Sequence, residues 1–471
     1  MAAERRWRNI NRRTMSSVNS DNIRALLIEA ANRAAHYIDA LAARDVVPAR
    51  GSVERLVAAL DTPLPDGPGK STEVLAFLDE YGSPATVASA GGRYFGFVTG
   101  GALPVTVAAQ YLAAAWDQNC FSFVSSPAVA CLESTALRWI KEALGLPACA
   151  EGALVTGATL ANFTCLAAAR NAVLQRHGWD VDREGLFGAP ALTVVLGDEA
   201  HATIYKVLSL LGLGRERVRR VPADEQGRLR YEQLPPVDGP VVVCIQAGNV
   251  NSGAFDPADE VIAWARRRGA WVHVDGAFGL WALASPDHAA RATGFVGADS
   301  WAMDAHKWLN VPYDSGIALV RDREALGRAM SMSGAYLLPS GQRDAMNYTP
   351  DSSRRARAVE IWSALKSLGR SGLAELISRN CRQAQKLASE LTRAGVEVLN
   401  EVVLNQVVVA FGDEDRTRRV IAAIQNSGTC WCGGTTWQGR AAMRISVSSW
   451  ATTDDDVDRS ISAILDAHRT A

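Results

Sequence analysis

The sequence predicts a two-lobed α/β fold built on a mostly parallel sheet, and three observations predict it. Its 471 residues are enough for more than one lobe and a large core. Between about residues 150 and 320, short β-rich runs alternate with amphipathic helical stretches, the pattern of a parallel sheet covered on both faces. After "SRRARAVEIWSALKSLGRSG" the rhythm changes, and strand-like "VEVLN", "NQVVVAFG" and "AAMRISVSS" mix with the helices "DRTRRVIAAIQNSG" and "TTDDDVDRSISAILDAH". These shifts divide the chain into a helical segment over 1–105, a large domain over 106–348 and a small C-terminal domain over 349–471.

Taken in order, residues 21 to 61 read as helical, with Asp21 as the N-cap and apolar residues at helical spacing. The loop "DTPLPDGPGKST" imitates a phosphate-binding P-loop, but the first required glycine would fall at Leu64 and no strand precedes it. Strands are expected at "ALTVVLG" (191–197), "VVVCIQ" (241–246), "WVHVDG" (271–276), "SWAMD" (300–304) and "GIALV" (316–320). Between them "HATIYKVLSLLG" and "PADEVIAWARRRG" read as helices, the second with Pro257 in its first turn. In such sheets ligands bind beyond the carboxyl ends of the strands, so the residues that follow each strand become the site candidates.

Composition excludes several function classes. A net charge of −1 leaves no basic footprint for nucleic acid or for a polybasic membrane contact. The one basic cluster, "ERRWRNINRR", is not followed by an apolar region and so does not read as a secretory signal. No apolar run is long enough to span a bilayer. Eight cysteines are scattered without metal-ligand spacing, and "CWC" at 430–432 is the only close pair. Free thiols in a large chain fit a reducing cytosol, so a cytoplasmic enzyme without a metal is expected.

Four places can carry chemistry. In "VTGATLANFTCLAAAR" a strand gives way to a helix at Gly157-Ala158-Thr159, where open amides and a hydroxyl can hold a phosphate or simply cap the helix. His201 follows a strand and opens the next helix; its imidazole can stack on a flat ring or serve as a cap. In "WVHVDGAFG" the alternation sends His273 and Asp275 to one face and Val272 and Val274 to the other. Asp275, at the strand end, must then meet either a protonated heteroaromatic nitrogen or the amides of the next helix. Lys307, in "SWAMDAHKWLNVPYDSG", lies among Trp301, Met303, Trp308 and Leu309. Such a lysine either snorkels to water or, with its amine desolvated, reacts with an aldehyde. A phosphate cradle, a ring-stacking histidine, an acid for a pyridine nitrogen and an amine for an aldehyde together describe one cofactor, pyridoxal 5′-phosphate.

These residues stand in the order and context of the group II pyridoxal-phosphate-dependent amino acid decarboxylases, which the chain resembles from "GGRYFGFVTGGALP" to "MRISVSSWATTDDDV". "HVDGAFG" with "DAHKWLNVPYDSG" carries most of the resemblance, supported by "SSPAVACLESTALRWIKEALGLP". It implies the aspartate-aminotransferase-like type I fold and a homodimer with shared sites, formed in part by the 1–105 segment. By position, Lys307 resembles the lysine that bonds the cofactor aldehyde and Asp275 the partner of the ring nitrogen. His201 resembles the histidine stacked on one ring face, with Ala277 under the other. Ala158 and Thr159 match phosphate-binding positions, and His306 is expected beside the phosphate. Asn249 stands where the family often has threonine. Tyr336 resembles the mobile-loop tyrosine that protonates the substrate carbon, and Arg444 an arginine that meets the substrate carboxylate. Tyr94, Phe95, Phe121 and Phe123 resemble pocket-lining positions, some from the neighbouring subunit. The segment from Tyr336 to "SRRAR" looks shorter than in the animal aromatic decarboxylases, which makes Tyr348 an alternative donor. Ser315 stands where many relatives have cysteine.

The resemblance implies decarboxylation of an L-amino acid to an amine and carbon dioxide. An aminotransferase would use the same lysine and aspartate. A decarboxylating aldehyde synthase typically replaces the loop tyrosine by phenylalanine, which Tyr336 weighs against. A non-catalytic protein that keeps the fold is opposed by the presence of both Lys307 and Asp275. Aromatic residues at pocket-like positions tilt the substrate toward an aromatic or bulky apolar amino acid.

Overall fold

The computed structural model describes residues 22–332 and 341–471. Its large sheet has seven strands: β1 (Glu151–Val155), β2 (Thr193–Gly197), β3 (Arg219–Val221), β4 (Val241–Gln246), β5 (Trp271–Asp275), β6 (Ser300–Asp304) and β7 (Gly316–Val320). They lie in the order β1-β7-β6-β5-β4-β2-β3. Only β7 runs against its neighbours, pairing antiparallel with both β1 and β6, so the sheet is mostly parallel as the alternation implies.

Strands buried on both faces need continuous β-branched or apolar runs, and "VVVCIQ" is buried at every position. The side-chain period of two then sorts the sheet into two cores. Val243, Val272, Val274, Trp301 and Met303 face one core. Val242, Cys244, Trp271 and Ala302 face the other, against the Ala-rich helix Ala158–Arg176. Alanine suits that helix because small side chains let it lie close to the sheet while retaining high helix propensity.

A second, antiparallel sheet is formed by β8 (Glu397–Val398), β9 (Gln406–Ala410), β10 (Gly433–Trp437) and β11 (Arg440–Ser446), in the order β10-β11-β9-β8. Helices Glu414–Ser427 and Asp454–Thr470 pack with it around Val407, Val409, Ile424, Ile445 and Ile461. The long helix Ala358–Arg393 breaks at Gly369, which takes the positive φ of 61° that favours glycine.

Several local expectations are corrected. The first helix runs from Ile23 to Ala40 with Asn22 as its cap, accepting from the Arg24 and Ala25 amides, while Asp21 lies outside the described residues. The helical stretch is not continuous to 61: a second helix covers Ser52–Leu60 after a Pro-containing bend. Pro257 is the N-cap residue of Ala258–Arg266 rather than inside its first turn. β3 and β10 had no sequence signal; both are short or Gly/Thr-rich, and each is stabilised by a neighbouring strand rather than by its own composition.

The segment after residue 340 is tied to the large sheet by buried charge. Arg354 Nη1 lies 3.0 Å from Glu133 Oε2, and Arg343 reaches both Glu133, at 3.4 Å, and Glu151, at 3.1 Å. Burial alone would push Glu133 up, but the two guanidinium groups hold it below the ordinary carboxylate range.

Candidate active site

Five strands of the large sheet, β1, β2, β4, β5 and β6, end at one cavity of about 350 Å³, a size that suits a small ligand. Each contributes residues at or just past its carboxyl end: Gly157 to Thr159, His201 with Thr203, Gln246 with Gly248, Asp275 with Ala277, and Asp304 with His306 and Lys307. Residues distant in sequence meet here because parallel strands place all their carboxyl ends at one edge.

Lys307 reaches the cavity because its surroundings are anchored. Trp301, Met303, Trp308 and Leu309 are fully buried, and Trp308 donates its indole N–H to Asn380 at 3.0 Å. Asn310, in the left-handed region with φ of 55°, donates its amide to Ser448 O at 3.1 Å and accepts from the Trp450 N–H at 2.7 Å. A side chain on Gly100 would overlap the Lys307 carbonyl, so that glycine lets a second segment close over the loop. The backbone is fixed and the amine, with the side chain 16 % exposed, is left facing the cavity.

Asp275 is buried, yet its carboxylate is poorly served. It accepts the Ala277 N–H at 3.4 Å and the Asn162 amide at 3.4 Å, both long for bonds to a charged acceptor. Burial pushes its pKa up, opposed by the neighbouring His201 and Lys307 side chains. A carboxylate held this way lacks a strong donor, and a protonated ring nitrogen would supply one. The alternative, in which the amides of the next helix satisfy it, reduces to that one long contact with Ala277.

Behind Asp275 lies a chain of fixed polar groups that the sequence reading did not foresee. His273 Nε2 is 2.9 Å from Asn162 Oδ1, and its Nδ1 is 2.9 Å from Ser300 Oγ, which also accepts the Trp271 indole N–H at 2.9 Å. Since Asn162 uses its oxygen on His273, its NH₂ is turned to Asp275. Burial lowers His273 to about 3, so it stays neutral in the folded chain. An unfolded imidazole titrates near 6.5. Stability from His273 is therefore complete above that value and is lost as pH falls toward 3. Between pH 7 and pH 5 this one group should remove about 2 kcal/mol. His273→Asn should show a smaller drop in unfolding temperature over that interval than wild type; an equal drop would refute the assignment.

His201 caps the helix Ala202–Leu210, its Nδ1 lying 2.7 Å from Thr203 Oγ1, while its ring lines the cavity. Cap and ring-face roles are thus compatible. Burial lowers both His201 and His306, favouring neutral imidazoles. His306 Nδ1 accepts the Ser315 N–H at 3.1 Å, and its ring lies 4.3 Å from that of Tyr313. Gly157 keeps the helix start open: a Cβ there would crowd His306 Cε1 at 3.1 Å and Asp304 Oδ1 at 3.3 Å. Ala158, Thr159 and Ala277 all line the cavity.

Other expected residues fall elsewhere. Asn249 shapes a turn, its Oδ1 accepting from the Asn251 and Ser252 amides at 2.8 and 3.2 Å; Gly248 and Val250 line the cavity instead. Phe95 packs into the small-sheet core and Tyr94 stacks on Trp431 at 5.1 Å. Phe121 and Phe123 lie on a loop held by Met346 and Asp344, away from the cavity lining. Arg444 donates to Val250 O at 3.2 Å, beside the cavity wall. Tyr336 lies outside the described residues. Tyr348, the alternative donor, is buried away from the cavity lining, and its hydroxyl accepts from Arg323 at 2.9 and 3.1 Å. Asp304, Phe97 and Tyr313, none of them singled out from the sequence, line the cavity.

An amine, an under-donated acid, neutral imidazoles and a helix N-terminus thus share one cavity, an arrangement that fits a flat, phosphorylated, aldehyde-bearing ring. Comparison with known proteins points the same way. The family model described as the pyridoxal-dependent decarboxylase conserved domain matches residues 84–411. The chain is 31 % identical over 391 residues to an L-2,4-diaminobutyrate decarboxylase of Rhizobium meliloti, covering 78 % of this chain and 76 % of that one. It is 28 % identical over 315 residues to an aromatic-L-amino-acid decarboxylase of Bacillus atrophaeus, covering 64 % of this chain and 63 % of the relative, less than two thirds of its length. Among solved structures, that of Oryza sativa TDC with PLP and tryptamine superposes with a TM-score of 0.87 at 23 % identity, over 96 % of this chain and 98 % of the other, a likeness of fold.

Proposed function

This chain belongs to the pyridoxal-dependent decarboxylase family, and from that premise we propose that it is a carboxy-lyase converting an L-amino acid to its amine and carbon dioxide. Its cofactor is pyridoxal 5′-phosphate. The observation that carries the reading is the meeting, in one cavity, of the Lys307 amine with the buried and poorly donated Asp275 carboxylate. When bound, the cofactor supplies an electron sink for the pair left behind by the departing carboxylate.

The chain's own residues would do the rest. The helix start at Ala158 and the Thr159 hydroxyl hold the phosphate. Asp275 keeps a proton on the ring nitrogen, oriented by Asn162 and His273. Neutral His201 packs on the ring without adding charge to it. Lys307 supplies the amine that bonds the aldehyde, and Arg444 meets the substrate carboxylate. Tyr336, with His201, returns the proton to the substrate carbon. An aromatic or bulky apolar side chain is the substrate class we favour, supported by Phe97, Phe278 and Tyr313 in the cavity wall.

The enzyme is proposed to act as a homodimer in the cytosol. Helix Ile23–Ala40 has no buried residue and exposes Ile23, Leu27, Ile28 and Ile38, which supports a covering partner subunit. All eight cysteines are free, and among the described residues no helix is long and apolar enough to cross a membrane. Sedimentation showing a single-chain mass would remove the dimer. For the reaction, purified enzyme supplied with cofactor and individual L-amino acids should release carbon dioxide and one amine per turnover. Formation of a ketoacid without amine would overturn the reading.

A further inference from the structure

One carboxylate engages two of the groups that the cofactor requires. Asp304 closes β6 and is 3 % exposed. Its Oδ1 accepts the Ala158 N–H at 2.5 Å and lies 3.4 Å from His306 Nε2. Its Oδ2 lies 3.0 Å from Lys307 Nζ. Ala158 is the first residue of its helix, so its amide is among those an incoming anion would seek. The Asp304 backbone cannot retreat: its N–H donates to Ala277 O at 2.9 Å and its carbonyl accepts the Trp281 indole N–H at 3.0 Å. Any release must come from the side chain.

We propose that Asp304 is a positioning residue that gates entry of the cofactor's phosphate: its carboxylate competes for the Ala158 amide and for Lys307, and loading requires it to release both. This rests on the cofactor assignment above. The competition is electrostatic as well as steric, because a phosphate ester and a carboxylate brought to one amide repel each other. A purely structural role predicts no such gain, since an asparagine oxygen would hold the same amide and leave anion binding unchanged or weaker.

The test uses inorganic phosphate on the full, cofactor-free chain, followed by calorimetry, so that it reads the cradle without any decarboxylation. Asp304→Asn keeps an oxygen for the Ala158 N–H and discards the charge. It is expected to bind phosphate roughly tenfold more tightly than wild type, and to take up pyridoxal 5′-phosphate faster. Unchanged or weaker phosphate binding overturns the proposal. The wild-type chain tests it without a variant: a crystal structure with phosphate or cofactor bound should place Asp304 Oδ1 more than about 3.5 Å from the Ala158 nitrogen, beyond hydrogen-bond range. An intact contact would refute the gate. Failure of the enzyme to decarboxylate any amino acid would leave both readouts standing.

Discussion

Replacing Lys307 by alanine is expected to lower the rate of amine formation by roughly 10⁴-fold or more and to abolish the borohydride-fixed bond between chain and cofactor. The loss should be chemical rather than structural. The loop around Lys307 is held by Trp308 on Asn380 and by Asn310 on the 448–450 loop, and the lysine side chain takes part in neither contact. Lys307→Arg sharpens the test. It keeps a positive charge beside Asp304 but cannot bond an aldehyde, so it should be as inactive as alanine. Substantial activity in the arginine variant would show that the charge matters and the amine does not.

The second large effect is expected at Asp275. Asp275→Asn should lower kcat by roughly 10³-fold, because a neutral amide cannot hold a proton on a ring nitrogen. Its effect on stability should have the opposite sign. Burial raises the folded-state pKa of this acid, so whatever stability it contributes is present below the unfolded value and lost as pH rises through the folded one. At neutral pH the ionised group is a net cost in the cofactor-free chain, and asparagine removes that cost. Cofactor-free Asp275→Asn should therefore unfold at the same temperature as wild type or higher, while being nearly inactive. A variant that is both inactive and less stable by several degrees would make Asp275 a structural residue.

Both residues were legible beforehand because their signals are local. A period of two places Asp275 on the face opposite Val274, and a lysine amid four large apolar side chains stands out against any core pattern. Ala158, Thr159 and His201, which line the same cavity, were legible for the same reason, as small residues or an imidazole directly after a strand. Aromatic character is shared by pocket walls and cores, and only the tertiary packing places Phe95 against the small sheet. At Asn249 the sequence alone does not separate a turn-forming asparagine from a cofactor-binding one, because both look alike in a "GNVNSG" stretch. Asp304 went unnoticed as the last letter of a strand. Its partner amide at Ala158 is 146 residues away, and no local pattern reports a pairing at that range.

What the sequence determined alone was the layering and the chemical inventory: strands from β-branched runs, helices from apolar spacing, and an amine, an acid and imidazoles at strand ends. Those properties follow from side-chain type and short-range periodicity. The tertiary structure decided which of these groups share a cavity, how Asn162 and His273 lie behind the acid, and which aromatic rings line that cavity rather than the core. Each of those outcomes depends on how strands from distant parts of the chain register side by side, and on the few ångströms of approach that their helices and glycines permit.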